Sequence, residues 1–355
     1  HPGPVIIPAA LAAAQWTGAT PQKFLAAVVH GYEAALRIGR SVGPGHYALW
    51  HNTSTCGVFG AAAAVADLMD LTPEQTVWAL GNAGAQAAGP WRCRHEPVMT
   101  KQLHTAHAAQ DGLKAAMLAK HGLTGPRLML EGEQGFFAAT APDADPAAVN
   151  ATPDAQWLIW ETSFKPWPSC RFTHTSIDAA LDLHEQKPDL DDVKEVLIET
   201  YTDSAVICDE PVPTSEIQAK FSLQHVVSAT LINGPPGLDQ FRGAALTDSA
   251  IAELRTRCRI AETKQFNDAY PQHYGTAVSL TFADGSVVDA SRADALGDPE
   301  NPVAPEAIEN KAATLMIDAG LDAGTITEIR NTCRDLPRSK NLSELIQSLA
   351  NAAGS

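Results

Sequence analysis

The sequence lacks the paired cysteines and the long apolar runs that would assign it to several common protein classes. Its six cysteines are far apart with no CxxC pair, which argues against a disulfide framework and against zinc or iron–sulfur sites. No apolar run reaches the roughly 18 residues of a membrane-spanning helix, so we expect neither a span nor a signal peptide. Together with the acidic composition, these absences predict a soluble, cytoplasmic protein.

Positive charge is also scarce. The chain has 25 lysines and arginines against 41 acidic residues, which gives a formal net charge of −16. Nucleic acid and anionic membranes would be repelled at long range, so we expect neither as a partner. HExxH and the glycine-rich phosphate loops are absent as well, and we predict no metal. A small anionic substrate would require a local basic pocket.

What is present is a helical pattern at both ends of the chain and a β pattern between them. A length of 355 residues, of which 45% are hydrophobic, allows two domains. Start signals for helices occur at Thr20-Pro21 and in the capping box Thr72–Gln75. The patterns predict helices over residues 8–16, 21–38, 57–69, 76–89 and 100–121.

The β pattern begins near residue 190. β-branched residues predict a strand over 193–201, and two alternating runs at 276–282 and 286–290 predict a hairpin around Asp284-Gly285. A helix is predicted between them, over 220–232, and again after Pro305. The fold class is therefore mainly α with an α+β insert. We expect a helical domain from residues 1–189 and 300–355, with a smaller α/β domain over 190–299.

Four short segments hold residues that are able to carry chemistry. They are HPG at 1–3, WHNTSTCG at 50–57, MTKQLH at 99–104 and FKPWPSCRFTH at 164–174. Each places a cationic or protonatable side chain beside a helix start or in a proline-rich loop, and helix N-termini favour anions. Taken singly, His51 also fits a capping residue, Lys101 an exposed helix charge, and Arg171 the partner of a core carboxylate.

In this order and spacing, the four segments resemble the MmgE/PrpD family. The likeness covers essentially the whole chain, including GFFAA at 135–139 and KFSLQ at 220–224. The family comprises 2-methylcitrate dehydratases, cis-aconitate decarboxylases and iminodisuccinate epimerases. The resemblance implies a helical domain built from both chain ends with an α/β lid between them. It also implies a homodimer that needs neither a metal nor an organic cofactor.

The resemblance also assigns residues. The catalytic histidines and lysine of the family fall on His1, His51 and Lys101. The predicted substrate-binding residues are His104, Ser169, Arg171 and His174. The shared intermediate is a carbanion next to a carboxylate of a small di- or tricarboxylate. Histidine is suited to moving the proton at carbon, while lysine and arginine stabilise the carboxylates and the developing charge.

Two departures from the family pattern affect the reaction that we expect. The family's aspartate and threonine ahead of the HPxG histidine are missing, so we expect that an N-terminal segment is lacking. Phe221 stands where some members carry a histidine at the start of the lid helix, which argues against decarboxylation and against a close match to the better-known methylcitrate dehydratases. From the prevalence of reactions in the family, we expect a hydro-lyase of the 2-methylcitrate dehydratase type first. An epimerase acting on an aspartate-like dicarboxylate follows closely, because Phe221 removes one familiar dehydratase feature, and a cis-aconitate-type decarboxylase is third. A non-catalytic homologue and a purely structural helical scaffold are the remaining alternatives.

Overall fold

Helices from both ends of the chain form the first of two units. The computed structural model of the protein describes residues 1–96, 98–152 and 155–353. One unit comprises His1–Trp160 and Ala313–Ser355, and the other comprises Glu161–Ala312. The described chain is mainly helical, with one four-stranded mixed sheet in the second unit. The mainly α class with an α+β part is thus confirmed, whereas the domain limits at 189/190 and 299/300 stay a prediction.

The elements follow one another along the chain in a simple order. The helices and strands are α1 (Gly3–Thr17), α2 (Pro21–Ser41), α3 (Gly43–Leu49), α4 (Asn52–Thr55), α5 (Gly57–Leu68), α6 (Pro73–Gly84), α7 (Thr100–Lys120), α8 (Phe136–Thr140), α9 (His174–Glu185), β1 (Val193–Thr200), α10 (Thr202–Ile207), α11 (Glu216–Ala219), α12 (Leu223–Asn233), α13 (Ser249–Thr256), β2 (Cys258–Glu262), α14 (Lys264–Ala269), β3 (Thr276–Phe282), β4 (Val287–Arg292), α15 (Pro305–Asp318), α16 (Ala323–Asp335) and α17 (Ser343–Ala353). None of these helices is both long and apolar enough to cross a lipid bilayer.

Helix α5 is the centre of the first unit and packs against α1, α2, α6 and α7. Its small residues let neighbouring backbones approach closely. A Cβ atom on Gly60 would lie 2.6 Å from the carbonyl oxygen of Gly31, and one on Gly112 would lie 2.5 Å from Ala61 Cβ. These distances are too short for carbon atoms, so larger side chains would separate the helices.

Both predicted helix starts are confirmed. The hydroxyl of Thr20 accepts the Lys23 N–H, and Thr72 and Gln75 form the reciprocal capping box. The predicted end of α6 is wrong, because the helix ends at Gly84 rather than at residue 89. The run that follows is rich in glycine and alanine and precedes Pro90, which disfavours helical geometry in the residue before it.

In the second unit the sheet has the strand order β2-β1-β3-β4. Strand β1 is parallel to β2 and antiparallel to β3, which forms the predicted hairpin with β4. Helix α9 packs on β3 and β4, and α12 packs beside α9. The short, half-buried strand β2 was not predicted from the sequence, because charged residues interrupt the apolar pattern that would indicate a strand.

The predicted helix over 220–232 needs a correction at its start. Residues 216–219 form the separate short helix α11, and α12 begins only at Leu223. The physical reason is a cap, since the Ser222 hydroxyl accepts the backbone N–H of His225.

Candidate functional site

The position of His51 is fixed by the backbone on both sides of it. Its N–H donates to the Gly89 carbonyl at 2.8 Å, and its own carbonyl accepts the first backbone bond of α4 from Ser54. Gly89 has a φ of 127°, and a Cβ atom there would lie 3.1 Å from Ser54 Cβ and 3.3 Å from His104 Cγ. Glycine is therefore required where this loop passes between α4 and α7.

The start of α7 brings Lys101 and His104 to the same place. The Ser54 hydroxyl donates to the His104 carbonyl at 3.0 Å, which ties α4 to α7. The rings of His51 and His104 have centroids 5.6 Å apart. Lys101 and the backbone nitrogen of His1 both lie within electrostatic range of the His51 ring. The four predicted residues of the first unit are thus close together, although their roles stay predictions.

The structure adds two residues that were not predicted from the sequence, Trp91 and Arg94. Both belong to the 3₁₀ segment Trp91–His95. The Trp91 ring lies 4.3 Å from the His51 ring between centroids. Arg94 Cζ lies 4.6 Å from the Trp91 ring centroid, and Lys101 Nζ lies 5.8 Å from it. The sequence signal would have been an aromatic residue and cations packed into WRCR, directly after Gly89-Pro90.

Burial and positive charge determine the protonation of the two histidines. Burial, followed by the charges of Lys101 and His104, lowers the pKa of His51 to about 3. Burial, followed by His107, lowers the pKa of His104. His51 is therefore neutral at neutral pH in the free protein, with a lone pair able to accept a proton.

Several buried polar atoms of His51 and its neighbouring residues have no hydrogen-bond partner among the residues that the structure describes. They are His51 Nδ1, Asn52 Oδ1, Trp91 Nε1, Arg94 Nη1 and His104 Nδ1. Buried polar groups normally have partners, because leaving one unsatisfied costs about 1–3 kcal/mol. A set of five around one histidine is the pattern of a site that receives a polar ligand.

His46 lies behind the cluster and is fully buried. Its Nδ1 lies 2.9 Å from the Thr140 carbonyl, and its Nε2 lies 2.8 Å from the Thr55 hydroxyl on α4. Burial is the main cause of its lowered pKa. These contacts hold α4, and through α4 they hold His51. His46 is a positioning residue that was not predicted from the sequence.

Arg171, in the second unit, already has a carboxylate partner. Its Nη2 lies 2.6 and 2.5 Å from the two oxygens of Asp298, whose side chain is 6% exposed. Asp298 also accepts hydrogen bonds from Ser163 and from the Ala295 N–H. The Arg171 Cζ stacks 4.6 Å from the Tyr274 ring centroid. This geometry matches the structural alternative in which Arg171 pairs with a core carboxylate.

Ser169 and His174 are packed near Arg171. The Ser169 hydroxyl lies 2.8 Å from that of Thr173, and its carbonyl accepts a bond from Lys165 Nζ at 3.0 Å. His174 is buried at the start of α9, and burial, followed by Lys165 and Arg171, lowers its pKa well below the usual value. Within the described parts of the chain, its Nε2 has no hydrogen-bond partner.

No group of three or more histidine, cysteine, aspartate or glutamate residues is arranged to hold a metal ion within residues 1–96, 98–152 and 155–353. The six cysteines, which include Cys56 and Cys258 with pKa values raised by burial to about 12 and about 11, are all free thiols.

Comparison with known proteins identifies the family. The profile of the MmgE/PrpD N-terminal domain matches residues 1–148, and that of the MmgE/PrpD C-terminal domain matches residues 167–332. The chain belongs to the MmgE/PrpD family. Both family domains lie in the expected order along it. The first three motif segments fall inside these matches, and the fourth, at 164–174, does so from residue 167 onward.

Curated relatives in the family are named for cis-aconitate decarboxylation. The cis-aconitate decarboxylase-like protein oryM of Aspergillus oryzae is 27% identical, covering 98% of this chain and 76% of the relative. The cis-aconitate decarboxylase of Aspergillus terreus is 25% identical with the same coverage. The human cis-aconitate decarboxylase is 27% identical over 74% of this chain, and the match spans 55% of that relative's length.

Proposed function

We propose that this MmgE/PrpD-family chain is a lyase that acts on a small di- or tricarboxylate through a carboxylate-stabilised carbanion. The observation that carries the proposal is the cluster around His51. A neutral, buried imidazole lies within electrostatic range of Lys101, His104 and Arg94, and neighbouring residues have buried polar atoms without a hydrogen-bond partner among the described residues. Such an arrangement favours a ligand with several negative charges and places a proton-accepting group beside it.

Each residue has a distinct role in this proposal. Lys101 stabilises the carboxylate next to the reacting carbon and the negative charge that develops there. His51 exchanges the proton at carbon, and His1 serves as the second proton-transfer group. His104 orients the substrate. Substrate binding by Ser169, Arg171 and His174 stays a prediction, and the ion pair of Arg171 with Asp298 favours the structural alternative for that residue.

The negative charge of a bound substrate allows His51 to hold the proton that it does not hold in the free site. With a pKa of about 3, His51 holds no proton near neutrality. The carboxylates of a bound substrate offset the positive charges of Lys101 and Arg94, which raises that pKa. In a decarboxylation, the bond to the leaving carboxylate breaks and its electron pair stays on carbon. Carbon dioxide departs, and the proton held by His51 moves to the substrate carbon.

The named relatives favour decarboxylation as the first reaction to test. Epimerisation is the second candidate, because Phe221 replaces the histidine that some family members carry at the lid helix. Dehydration of a 2-methylcitrate-like substrate was the first expectation from the motifs and belongs to the same test. All three reactions need the same carbanion, so the site residues are shared among them.

The test is proton NMR of the full-length protein in D₂O with cis-aconitate, 2-methylcitrate and iminodisuccinate supplied separately. Loss of CO₂, loss of water, or entry of deuterium without net loss would each identify one reaction. Variants His51→Ala and Lys101→Ala should each lower kcat/KM by about 10²-fold or more. If both retain kcat/KM within a few fold, the proposed site is wrong. Homodimerisation and a cytoplasmic location stay predictions.

A further inference from the structure

The 3₁₀ segment that carries Trp91 and Arg94 has no place in the proton chemistry described above. Nevertheless, it forms one wall of the His51 cluster. We propose that Arg94, stacked on Trp91, is the residue that binds a second carboxylate of the substrate. The inference rests on the proposed function, because it concerns the substrate of the same site.

The first observation is how the guanidinium of Arg94 is held. Its Cζ lies 4.6 Å from the Trp91 ring centroid and 5.8 Å from the Tyr47 ring centroid, and these rings meet edge to face at 86°. An arginine stacked on aromatic rings uses its flat face for the rings and keeps its N–H edge for hydrogen bonds. The stack also restricts the side chain, so less entropy is lost when a ligand binds.

The second observation is that Arg94 and Trp91 each have a hydrogen-bond donor without a partner among the described residues. Arg94 Nη1 and Trp91 Nε1 are buried, and neither has a hydrogen-bond partner among the residues described by the structure. Both atoms are donors only, so their partner must supply acceptor oxygens. A carboxylate fits best, because its two oxygens accept from a guanidinium in a parallel fork.

The third observation is the spacing of the two cations. Lys101 Nζ lies 5.8 Å from the Trp91 ring centroid that Arg94 stacks on, so the Arg94–Lys101 separation cannot exceed the sum of the two centroid distances. A short carbon chain with a carboxylate at each end can bridge such a gap. In this arrangement Lys101 holds the carboxylate beside the reacting carbon and Arg94 holds a distal one.

Trp91 is a positioning residue in this scheme. Its ring lies 4.3 Å from the His51 ring and 7% of its surface is exposed, so it connects the carboxylate-binding arginine to the proton-transfer histidine. An aromatic ring at this position keeps both groups in place. Trp91→Phe should therefore keep the pH profile but raise KM, because it retains the ring and removes the Nε1 donor, whereas Trp91→Leu should weaken substrate binding further and shift the profile.

The experiment compares Arg94→Gln with Arg92→Gln in the full-length protein. Arg92 belongs to the same 3₁₀ segment, but its side chain is 77% exposed and pairs with Glu96, so it is the matched control. Binding of tricarballylate and of its diamide, which keeps a single carboxylate, is measured by calorimetry, and kcat and KM are measured with the substrate identified by NMR. Tricarballylate keeps every carboxylate, whereas the diamide leaves none for Arg94 once Lys101 holds its single carboxylate.

We expect Arg94→Gln to weaken tricarballylate binding and raise KM by about 10- to 100-fold, as for the loss of charge-assisted hydrogen bonds, with a smaller change in kcat. Binding of the diamide should change by less than about threefold, and Arg92→Gln should behave as wild type. Arg94→Lys, which keeps the charge without the fork, should fall between them. An equal loss for both ligands, or no loss beyond that of Arg92→Gln, overturns the inference.

The same data separate this inference from the proposed function. If the wild type binds tricarballylate and Arg94→Gln binds it equally well, the second carboxylate site is wrong and the lyase proposal is unaffected. If the wild type binds no polycarboxylate and converts none, both are wrong. Circular dichroism of each variant establishes that the substituted protein is folded.

Discussion

The two units each gather histidine and cations, but they treat the charges differently. In the second unit Arg171 is bound to Asp298, which also accepts two further hydrogen bonds, so its charge is compensated by the fold itself. In the first unit Arg94 stacks on rings, and its Nη1 has no partner from any described residue. The partners that a motif cation already has therefore indicate better than its residue type whether the cation is available to bind a ligand.

The largest effect on the free energy of unfolding is expected when Arg171, whose charge is compensated by Asp298, is replaced. Arg171→Ala leaves the buried Asp298 carboxylate without its ion-pair partner, so the free energy of unfolding should fall by about 3–5 kcal/mol. Chemical denaturation followed by circular dichroism measures this change. Arg259→Ala is the control, because it breaks an exposed pair with Glu195 that is worth at most about 1 kcal/mol. Equal changes in the two variants would remove the distinction between the units.

In the first unit, replacing a cation of the His51 cluster should lower activity and leave stability almost unchanged. Lys101→Ala should lower kcat/KM by about 10²-fold or more, which corresponds to about 2.7 kcal/mol, while the free energy of unfolding changes little. Lys114→Ala on the same helix is the control, since its side chain is 55% exposed. A large loss of stability without a loss of kcat/KM per folded molecule would make Lys101 a structural residue.

The pH dependence of stability isolates His51. Its folded pKa of about 3 lies below the unfolded value near 6.5, so the unfolded chain binds the extra proton between these values. The resulting stability is complete above pH 6.5 and is lost as the pH falls toward 3. His51→Gln removes this term, so the wild type should lose about 2 kcal/mol more than the variant between pH 7 and pH 5.

The control for this titration is His121→Gln, which removes an exposed histidine at the other end of α7. Its pH dependence of unfolding should follow that of the wild type. Parallel stability curves for the wild type and His51→Gln would mean that His51 is not a buried neutral base.

A smaller effect is expected from the loop that passes the site. Gly89→Ala places a Cβ atom at a φ of 127° and within 3.4 Å of Ser54 and His104, so it should cost about 1–3 kcal/mol. Gly18→Ala, with a φ of 65° and no atom within 4 Å of the added Cβ, separates backbone strain from the steric contact. If both variants unfold alike and kcat/KM is unchanged, the approach to His104 does not shape the site.

Much of the secondary structure could be predicted from short stretches of the sequence. The capping box at Thr72, the cap at Thr20 and the Asp284-Gly285 hairpin depend on contacts between near neighbours in the chain, and all three are confirmed. Local patterns misplaced the end of α6 and the start of α12. At both points a proline or a capping serine outweighed the helical composition around it.

The candidate site also contains some residues that the sequence predicted and others that only the structure revealed. The sequence by itself pointed to the motif residues His1, His51, Lys101 and His104 through their order and spacing, and their roles stay predictions. Only the tertiary structure decided that Trp91 and Arg94 join them and that Asp298 neutralises Arg171 from 127 residues away. The physical reason is that capping and periodicity are short-range, whereas burial and charge pairing depend on which distant segments the fold brings together.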